Sequence, residues 1–377
     1  MRMDRHELLI IGGGIVGLNA AISAAGAGAR VTLIDAGVNA GTTANAGSLH
    51  VQLQSRFMRL YPEQAPNVEA SLPLYLRAVR EWDDLEATHG PFEMVRKGGL
   101  MVAEDTEQLK FLEAKAEREA ARGLDVEILD RAGLERLAPW LGPQIVGAEL
   151  CRDEGKLNPL TANIRLRAVA RALGVSLISD RINRLSVEGD VLLQGEQSSY
   201  RAQQVILATA WGTGDLTRQL GLPVPSQAEP LHMNITEAAA SGIDHLIQHA
   251  ERSITLKQLS SGQIVIGGGW PARSRGNDAV PEVLADSLLG NVALAGRLVP
   301  GIQGLRVIRT WAGMNTTIDG KTALGRVPGA ESVIVAVPGD AGYTLGPLVG
   351  RLAAELAAGR DSDVDTAPFS PARFRAA

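Results

Sequence analysis

The chain of 377 residues has a single cysteine, Cys151. One cysteine excludes an intramolecular disulfide and a thiolate metal cluster, and it fits a reducing cytoplasm. Cys151 is expected to be a small, partly buried side chain rather than a reactive thiol. Positive charge is not in excess: Lys and Arg number 37 against 42 Asp and Glu, for a net charge of −5. There is no basic run and no polybasic tail, so no electrostatic footprint for nucleic acid exists. No apolar run approaches the length of about eighteen residues that a membrane span needs. The apolar run from Leu8 reads as a first strand and leaves no room for a signal peptide. Internal repeats and low-complexity segments are absent. No His/Cys/Asp cluster has metal-ligand spacing, and no Ser–His–Asp order is suggested.

What remains is an ordinary globular balance, 21% charged and 45% apolar, in a chain long enough for two domains. The richest segment is the start. Leu8-Leu9-Ile10-Ile11 reads as a buried strand. It turns through Gly12, Gly13, Gly14 and Gly17 into an Ala-rich helix, and a second strand, Arg30 to Ile34, ends in Asp35. This strand, G-x-G-x-x-G, helix, strand, acid order is the dinucleotide-binding unit. Gly12 permits the tight turn, Gly14 lets a pyrophosphate approach the backbone, and Gly17 lets helix and strand pack closely. The helix start at Ile15 and Val16 offers N–H groups to phosphate. Asp35, followed by Ala36, can accept hydrogen bonds from a ribose.

Further along, Gly41 to Gln54 reads as a loop running past the cofactor. Leu72, Leu76, Val79 and Leu85 give Ala70–Thr88 a helical period. Short helices are expected over 106–121, 130–137 and 159–173. Fully apolar strands at Val205–Thr209 and Val333–Val337 suit a parallel sheet covered on both faces. The strands at Leu231–Ile235, Ser253–Leu256 and Gln263–Gly267 alternate more and read as antiparallel. A closing helix is expected from about Leu348 to Ala358, with residues after Asp361 trailing over the surface. The fold class is therefore mixed α/β. A Rossmann-like nucleotide domain is assembled from discontinuous segments, 1–80, 145–220 and 305–377. An antiparallel-sheet substrate domain is inserted at 81–144 and 221–304.

Four segments together resemble the FAD-dependent amine and amino-acid oxidoreductases of the D-amino-acid oxidase type. They are Gly12 to Asp35; Gly41-Thr42-Thr43-Ala44-Asn45-Ala46-Gly47-Ser48; Val205 to Trp211; and a C-terminal set with Arg309-Thr310-Trp311-Ala312-Gly313, Asp319-Gly320 and Gly339 to Tyr343. The stretch Thr42 to Arg59 is more narrowly similar to the small flavin subunit of heteromeric opine (octopine or nopaline) oxidases and to D-hydroxyproline dehydrogenase subunits. The resemblance implies non-covalent FAD. The sarcosine oxidases that attach flavin use a cysteine near the C-terminus, and this chain has none there. It places Thr42, Thr43, Asn45, Ala46, Gly47, Ser48 and Leu49 along the pyrophosphate and ring. Ile182 is placed near adenine, and Ala208, Thr209 and Trp211 at the turn after the third strand. Gly313 and Met314, with Gly339, Asp340, Ala341, Gly342, Tyr343 and Thr344, are placed at the flavin's pyrimidine end. There a helix N-terminus stabilises the anionic reduced ring. It also implies a larger electron-transfer subunit, whose iron–sulfur centres must come from another chain.

Departures from the family bear on the substrate. The family often has Gly-His-Gly where this chain has Asp340-Ala341-Gly342. Glycine oxidase-like members place a carboxylate-binding Arg where this chain has Asn315, and a neutral amide gives no bidentate ion pair. Arg309 or Arg56 is expected to take that role, or the substrate presents its carboxylate differently. His50 and Gln52, two apart on an extended segment, point to one side and can line the substrate pocket. Tyr343 can cover the substrate. Glu229 and His232 lie on a strand expected to floor the pocket, where Glu229 can bind a cationic group such as a guanidinium. Lys257 and Trp270 are wall candidates. No general base is nominated, because in this family a neutral amine delivers hydride directly to flavin N5 and placement does the catalysis. Three readings stay open: the catalytic subunit of a heteromer oxidising an amino-acid-derived amine, a stand-alone D-amino-acid or glycine-type enzyme, and a flavin subunit that only relays electrons.

Overall fold

A computed structural model of the chain describes residues 5–38 and 41–375. The first strand, β1 (Arg5–Ile11), is buried from Leu8 onward and turns into α1 (Ile15–Gly26), after which β2 (Val31–Asp35) runs parallel to it. Gly12 holds φ at +103°, and a Cβ there would collide with the Ala208 carbonyl, so geometry and space both demand glycine. Then come β3 (Ser48–Leu49), α2 (Ser55–Leu60) and α3 (Ala65–His89). The chain next builds β4 (Gly99–Ala103), α4 (Thr106–Ala120), β5 (Val126–Asp130), α5 (Arg131–Leu137) and β6 (Gly147–Cys151). The Asp105 and Asp130 side chains accept from the Gln108 and Gly133 N–H groups at 2.8 and 2.7 Å, which caps α4 and α5 and fixes where they begin.

A short β7 (Gly155–Lys156) pairs with β3 and leads into α6 (Pro159–Ala172) and β8 (Ser176–Ser179). The antiparallel run β9 (Ile182–Glu188), β10 (Asp190–Gly195) and β11 (Ser199–Leu207) precedes α7 (Thr213–Arg218). Strands β12 (Gln227–Ala238), β13 (Leu246–His249), β14 (Thr255–Gln258) and β15 (Gln263–Gly267), helix α8 (Ala285–Leu298) and β16 (Val307–Thr317) return to the second sheet. The chain closes with β17 (Ala323–Val327), β18 (Ala330–Val337) and α9 (Gly342–Ala357).

The first sheet has the order β17-β18-β11-β1-β2-β8, and all but β17 run parallel. Strand β11 divides its outer edge: β10 pairs with its first half and β18 with its second. Its register sets Ile34, Ile11, Leu207 and Val335 side by side. The turns that follow four strands therefore open in one row at the carboxyl ends, where ligands bind in such sheets. Helices α1, α3, α6 and α9 cover one face around Leu18, Trp82, Leu166 and Leu348. The other face packs Leu9, Val205 and Val335 against Leu193 and Leu216.

The second sheet has the order β16-β12-β15-β14-β13-β4-β6-β5. It is antiparallel except where β4 meets β13 in parallel, the seam between its two chain-distant halves. Alternation assigns its faces. Leu100, Val102, Leu256 and Ile266 pack beneath α8, while Met101 and Thr255 point the other way into a cavity.

Four details differ from the sequence expectation. Strands β6 and β16 belong to the second sheet, so the segments 145–220 and 305–377 do not lie wholly in the nucleotide domain; β16 ladders with β12 along its length. The boundary at residue 81 would cut α3, a continuous helix that packs on α9 through Trp82 and Tyr343. Helix α9 begins at Gly342 rather than near Leu348; Pro347 lies inside it, and the Tyr343 carbonyl that its missing N–H leaves free accepts from the Trp82 indole at 3.2 Å. The tail does not trail: Phe369 and Pro371 are buried, with Pro371 against Gly325 of β17.

Candidate active site

A cavity of about 580 Å³ opens between the row of strand ends and the front face of the second sheet. Gly41, Asn45, Ala46 and Ser48 line one side, and Gly313, Met314 and Asp340 to Thr344 another. Phe57, Val68, Ser71 and Tyr75, from α2 and one stripe of α3, close it over the top. That stripe was not singled out in the sequence, where the apolar run Leu72, Leu76, Val79 defines the neighbouring, core-facing side. The 68/71/75 spacing was the available signal.

At the strand ends the glycine turn is tightly organised. The Asp35 carboxylate accepts from the Gly13 N–H and, at 2.6 Å, from the Gly37 N–H. The Thr42 hydroxyl accepts from the Ile15 N–H at 2.8 Å, so the 41–48 loop is tied to the start of α1 beside Val16 and Gly17. A Cβ on Gly14 would stand 2.9 Å from that hydroxyl. The Thr42 carbonyl accepts from Asn163, and the Ala44 carbonyl from the Trp311 indole at 2.8 Å. Asn45 accepts from the Gly47 N–H at 2.7 Å, while Thr43 is exposed. Ser48 Oγ is buried beside the cavity without a hydrogen-bond partner among the described residues, an orphan that a ligand would satisfy. Ala208 and Thr209 follow the end of β11, and Trp211 lies against Gly41. Leu49 is fully buried core, Ala36 lies off the cavity, and Gly339 turns the chain at φ +88° into α9. Ile182 is buried with Leu185 and Ile34 behind the sheet.

The substrate-side residues separate into two groups. His50, Gln52, Glu229 and Asn315 line the cavity. Asn315 donates to Glu229 at 3.2 Å and to Asp340 at 3.4 Å, across the β12–β16 register that sets Glu229 opposite Asn315. Asp340 is exposed and opens onto the cavity. Desolvation and the Glu229 charge raise its carboxyl to about 6, against the hydrogen bond from Asn315. Tyr75 faces it, and burial and that carboxylate push the phenol up.

The others are placed differently. Arg309 does not line the cavity; it is exposed, with its guanidinium over the Trp311 ring at 5.5 Å. The Arg56 side chain lies outside the described residues. Tyr343 touches the cavity, but its ring stacks on Trp82 at 5.4 Å and its hydroxyl donates to Asn163 at 3.0 Å, so it packs the core instead of covering a substrate. His232 borders the cavity but is fully buried. Its ring shares a strand face with Asn234, whose amide donates to Asn291 of α8. The ring therefore belongs to the layer under α8, and burial lowers its pKa. Lys257 is fully buried off the cavity, Nζ has no partner among the described residues, and burial holds it well below the usual lysine range. Trp270 donates to the Ser253 carbonyl at 2.6 Å and borders a neighbouring groove.

A family model described as FAD dependent oxidoreductase matches residues 7–356. The chain belongs to this DAO family. It is 26% identical to glycine oxidase from Bacillus licheniformis over 373 residues, covering 94% of each chain. It is 24% identical to an opine oxidase subunit from Agrobacterium tumefaciens (strain Ach5) over 390 residues, covering 99% of each. Among solved structures, L-proline dehydrogenase from P. horikoshii superposes with a TM-score of 0.83 at 21% identity, over 99% of this chain and 98% of that one. The Gly12–Gly17 turn, the 41–48 loop and the start of α9 are the parts of this DAO-family chain that fit FAD. The close approach at Gly14 and the orphan Ser48 hydroxyl are the observations that carry the fit.

Beneath the cavity lies a buried charge network that sequence reasoning missed. Glu154, fully buried, accepts from the Val51 and Gln52 N–H groups at 2.9 and 3.2 Å and from the Gln52 and Gln248 amides, both at 2.9 Å. His50 Nδ1 stands 3.8 Å away. Burial opposes its ionisation, but these donors prevail and hold its carboxyl below the usual range. The Gln52 side chain also accepts from Lys115 at 3.2 Å, and Lys115 meets Glu119 at 2.9 Å and Glu149 at 2.8 Å, all fully buried. One ammonium cannot balance two carboxylates in a dry site. Burial and Glu119 raise Glu149 to about 9 despite Lys115, so it keeps its proton at neutral pH. Cys151, two residues further on, is buried, and its thiol is pushed up, which makes it inert.

Two outcomes follow. Gly14→Val, whose side chain would press on Thr42 and into the phosphate path, leaves a folded chain that releases no FAD on heating; full flavin in this variant would reject the cradle. Lys115→Met strands Glu119 and lowers stability by about 3–5 kcal/mol, whereas Glu149→Gln keeps a neutral group without the cost of protonating a carboxyl on folding, so it leaves stability unchanged or raised, the more so as the pH rises. Since the folded-state value lies above that of a free carboxyl, Glu149 favours the folded state most fully at acid pH. That contribution is lost as the pH rises towards 9. Urea unfolding of both variants at about pH 6 and about pH 9 checks the pair and the sign.

Proposed function

We propose that this chain oxidises the C–N bond of an amino-acid-derived amine to an imine, which water hydrolyses to a keto acid and an amine. FAD, held without a covalent bond, supplies the acceptor for the hydride equivalent. The protein binds and orients the amine, and the cavity keeps water from the reacting carbon. No side chain among the described cavity residues need act as base, because a neutral amine gives up hydride directly.

The observation that carries the finer reading is the Glu229–Asn315–Asp340 wall. Where glycine oxidase-type enzymes are expected to bind a carboxylate, this wall presents two carboxylates joined through an amide. It attracts a cationic end and repels an anionic one, which favours an opine-like secondary amine bearing a guanidinium over glycine. Similarity to an opine oxidase subunit over nearly the whole chain supports the same reading and a heteromer with a larger electron-transfer subunit. The polar side chains of β12 and β16 that line the cavity beyond the cofactor loops favour catalysis over simple electron relay.

Anaerobic mixing with octopine, nopaline, glycine, sarcosine, D-alanine and D-hydroxyproline tests it by flavin bleaching. Octopine or nopaline is expected to bleach the flavin at least about tenfold more efficiently than the uncharged-tail amines, a difference of about 1.4 kcal/mol. Efficiency should fall below about pH 6, where Asp340 takes up its proton, and Asp340→Asn should remove that fall. Preference for glycine with no pH limb would overturn the cationic reading. The heteromer is checked by co-expression with a larger electron-transfer subunit: the two are expected to co-purify at constant ratio, and full activity of this polypeptide alone would reject the pairing.

A further inference from the structure

The amino-acid-derived substrate of the preceding section carries a carboxylate, and the acidic wall cannot hold it. A carboxylate enclosed without a counter-charge is costly. Among the described residues, Arg252 is the only lysine or arginine lining the cavity. It stands in the tight turn between β13 and β14, where the His249 ring accepts from the Glu251 and Arg252 N–H groups at 2.9 and 3.1 Å and so sets the turn. Arg252 also borders the groove beside Trp270, so it stands where the cavity meets the outside.

Its present partner can release it. Arg252 lies 3.1 Å from Glu104, but Glu104 is also held by Arg297 at 2.6 Å and has His249 at 3.4 Å. Glu104 is nearly buried, while the Arg252 side chain is 47% exposed. If the guanidinium turns towards the cavity, Glu104 keeps a charge-assisted bond and no buried anion is stranded. Arginine, with several donors in a planar fork, can also bridge both carboxylates at once.

We propose, resting on the amine-oxidation reading, that Arg252 anchors the substrate carboxylate. It would orient the substrate with its anionic end at the β13–β14 turn and its cationic end at Glu229 and Asp340. Specificity then comes from two charged poles rather than from one arginine beside the flavin.

The test uses the FAD-loaded full chain. Its visible flavin spectrum is titrated with acetate, pyruvate and benzoate, and with acetamide, pyruvamide and benzamide. At least one carboxylate is expected to perturb the spectrum with saturation. Arg252→Gln should raise that Kd about ten- to a hundredfold and leave the matching amide unchanged, and Arg252→Lys should recover part of the loss. Glu104→Gln separates anchoring from a structural ion pair: it frees Arg252 and should keep or lower the carboxylate Kd. The proposal is overturned if no carboxylate perturbs the flavin, if Arg252→Gln stays within about twofold of the parent, or if Glu104→Gln weakens binding as much as Arg252→Gln. Bleaching by an active amine in the same preparations reports on the oxidation reading separately, so the two can fail independently.

Discussion

The Glu154 carboxylate is the constraint on which the cavity depends. It sits in the turn between β6 and β7, where the second sheet gives way to the nucleotide domain. Its four accepted hydrogen bonds reach the extended segment at Val51 and Gln52 and the Gln248 amide of β13. Both groups line the cavity, and each belongs to a different sheet's territory. A buried carboxylate must be saturated with donors to stay ionised. The need to satisfy one anion therefore ties the two sides of the cavity together. Lys115, reaching Gln52 from α4, extends the same logic one layer deeper.

The electrostatics around the cavity sort by enclosure. Groups with donors or counter-charges, such as Glu154, remain ionised. Groups without enough of them give up their charge: burial holds Lys257 far below the usual lysine range, and Glu149 keeps its proton. Asp340 lies between these limits, because its surface opens into the cavity and its neighbour Glu229 is also acidic. Such a wall suits the cationic ligand that we propose.

The relatives show how this can coexist with a shared fold. Roughly a quarter of positions match glycine oxidase and the opine oxidase polypeptide, yet the match runs almost end to end. The cofactor side depends on backbone: turns at adjacent strand ends, glycines without room for a Cβ, and N–H groups at helix starts. Backbone geometry tolerates wide sequence change. The substrate side depends on individual side chains from β12, β16 and the α9 start, where a single charged or neutral side chain changes the electrostatics of the wall.

What could be read in the chain follows the same division. The Gly12–Asp35 unit, the fully apolar strands and the alternating strands were legible because each is a local pattern whose period or glycine spacing is dictated by its own backbone. The 41–48 loop was legible by resemblance. Three things were not. The domain boundaries slipped at β6 and β16, because a strand's sheet is chosen by its partner and not by its own residues. The side chains of Tyr343, His232, Arg309 and Lys257 were expected in the pocket, but strand parity and helix packing turned them to the core, the α8 layer, the surface and a dry interior. Glu154, Lys115, Tyr75 and Arg252 gave no local signal strong enough to single them out, since their roles come from neighbours distant in the chain. The sequence by itself determined the sheet, the cofactor cradle and the family. Only the tertiary structure decided which charges face the cavity, because burial and pairing are set by contacts between segments that the order of residues does not encode locally.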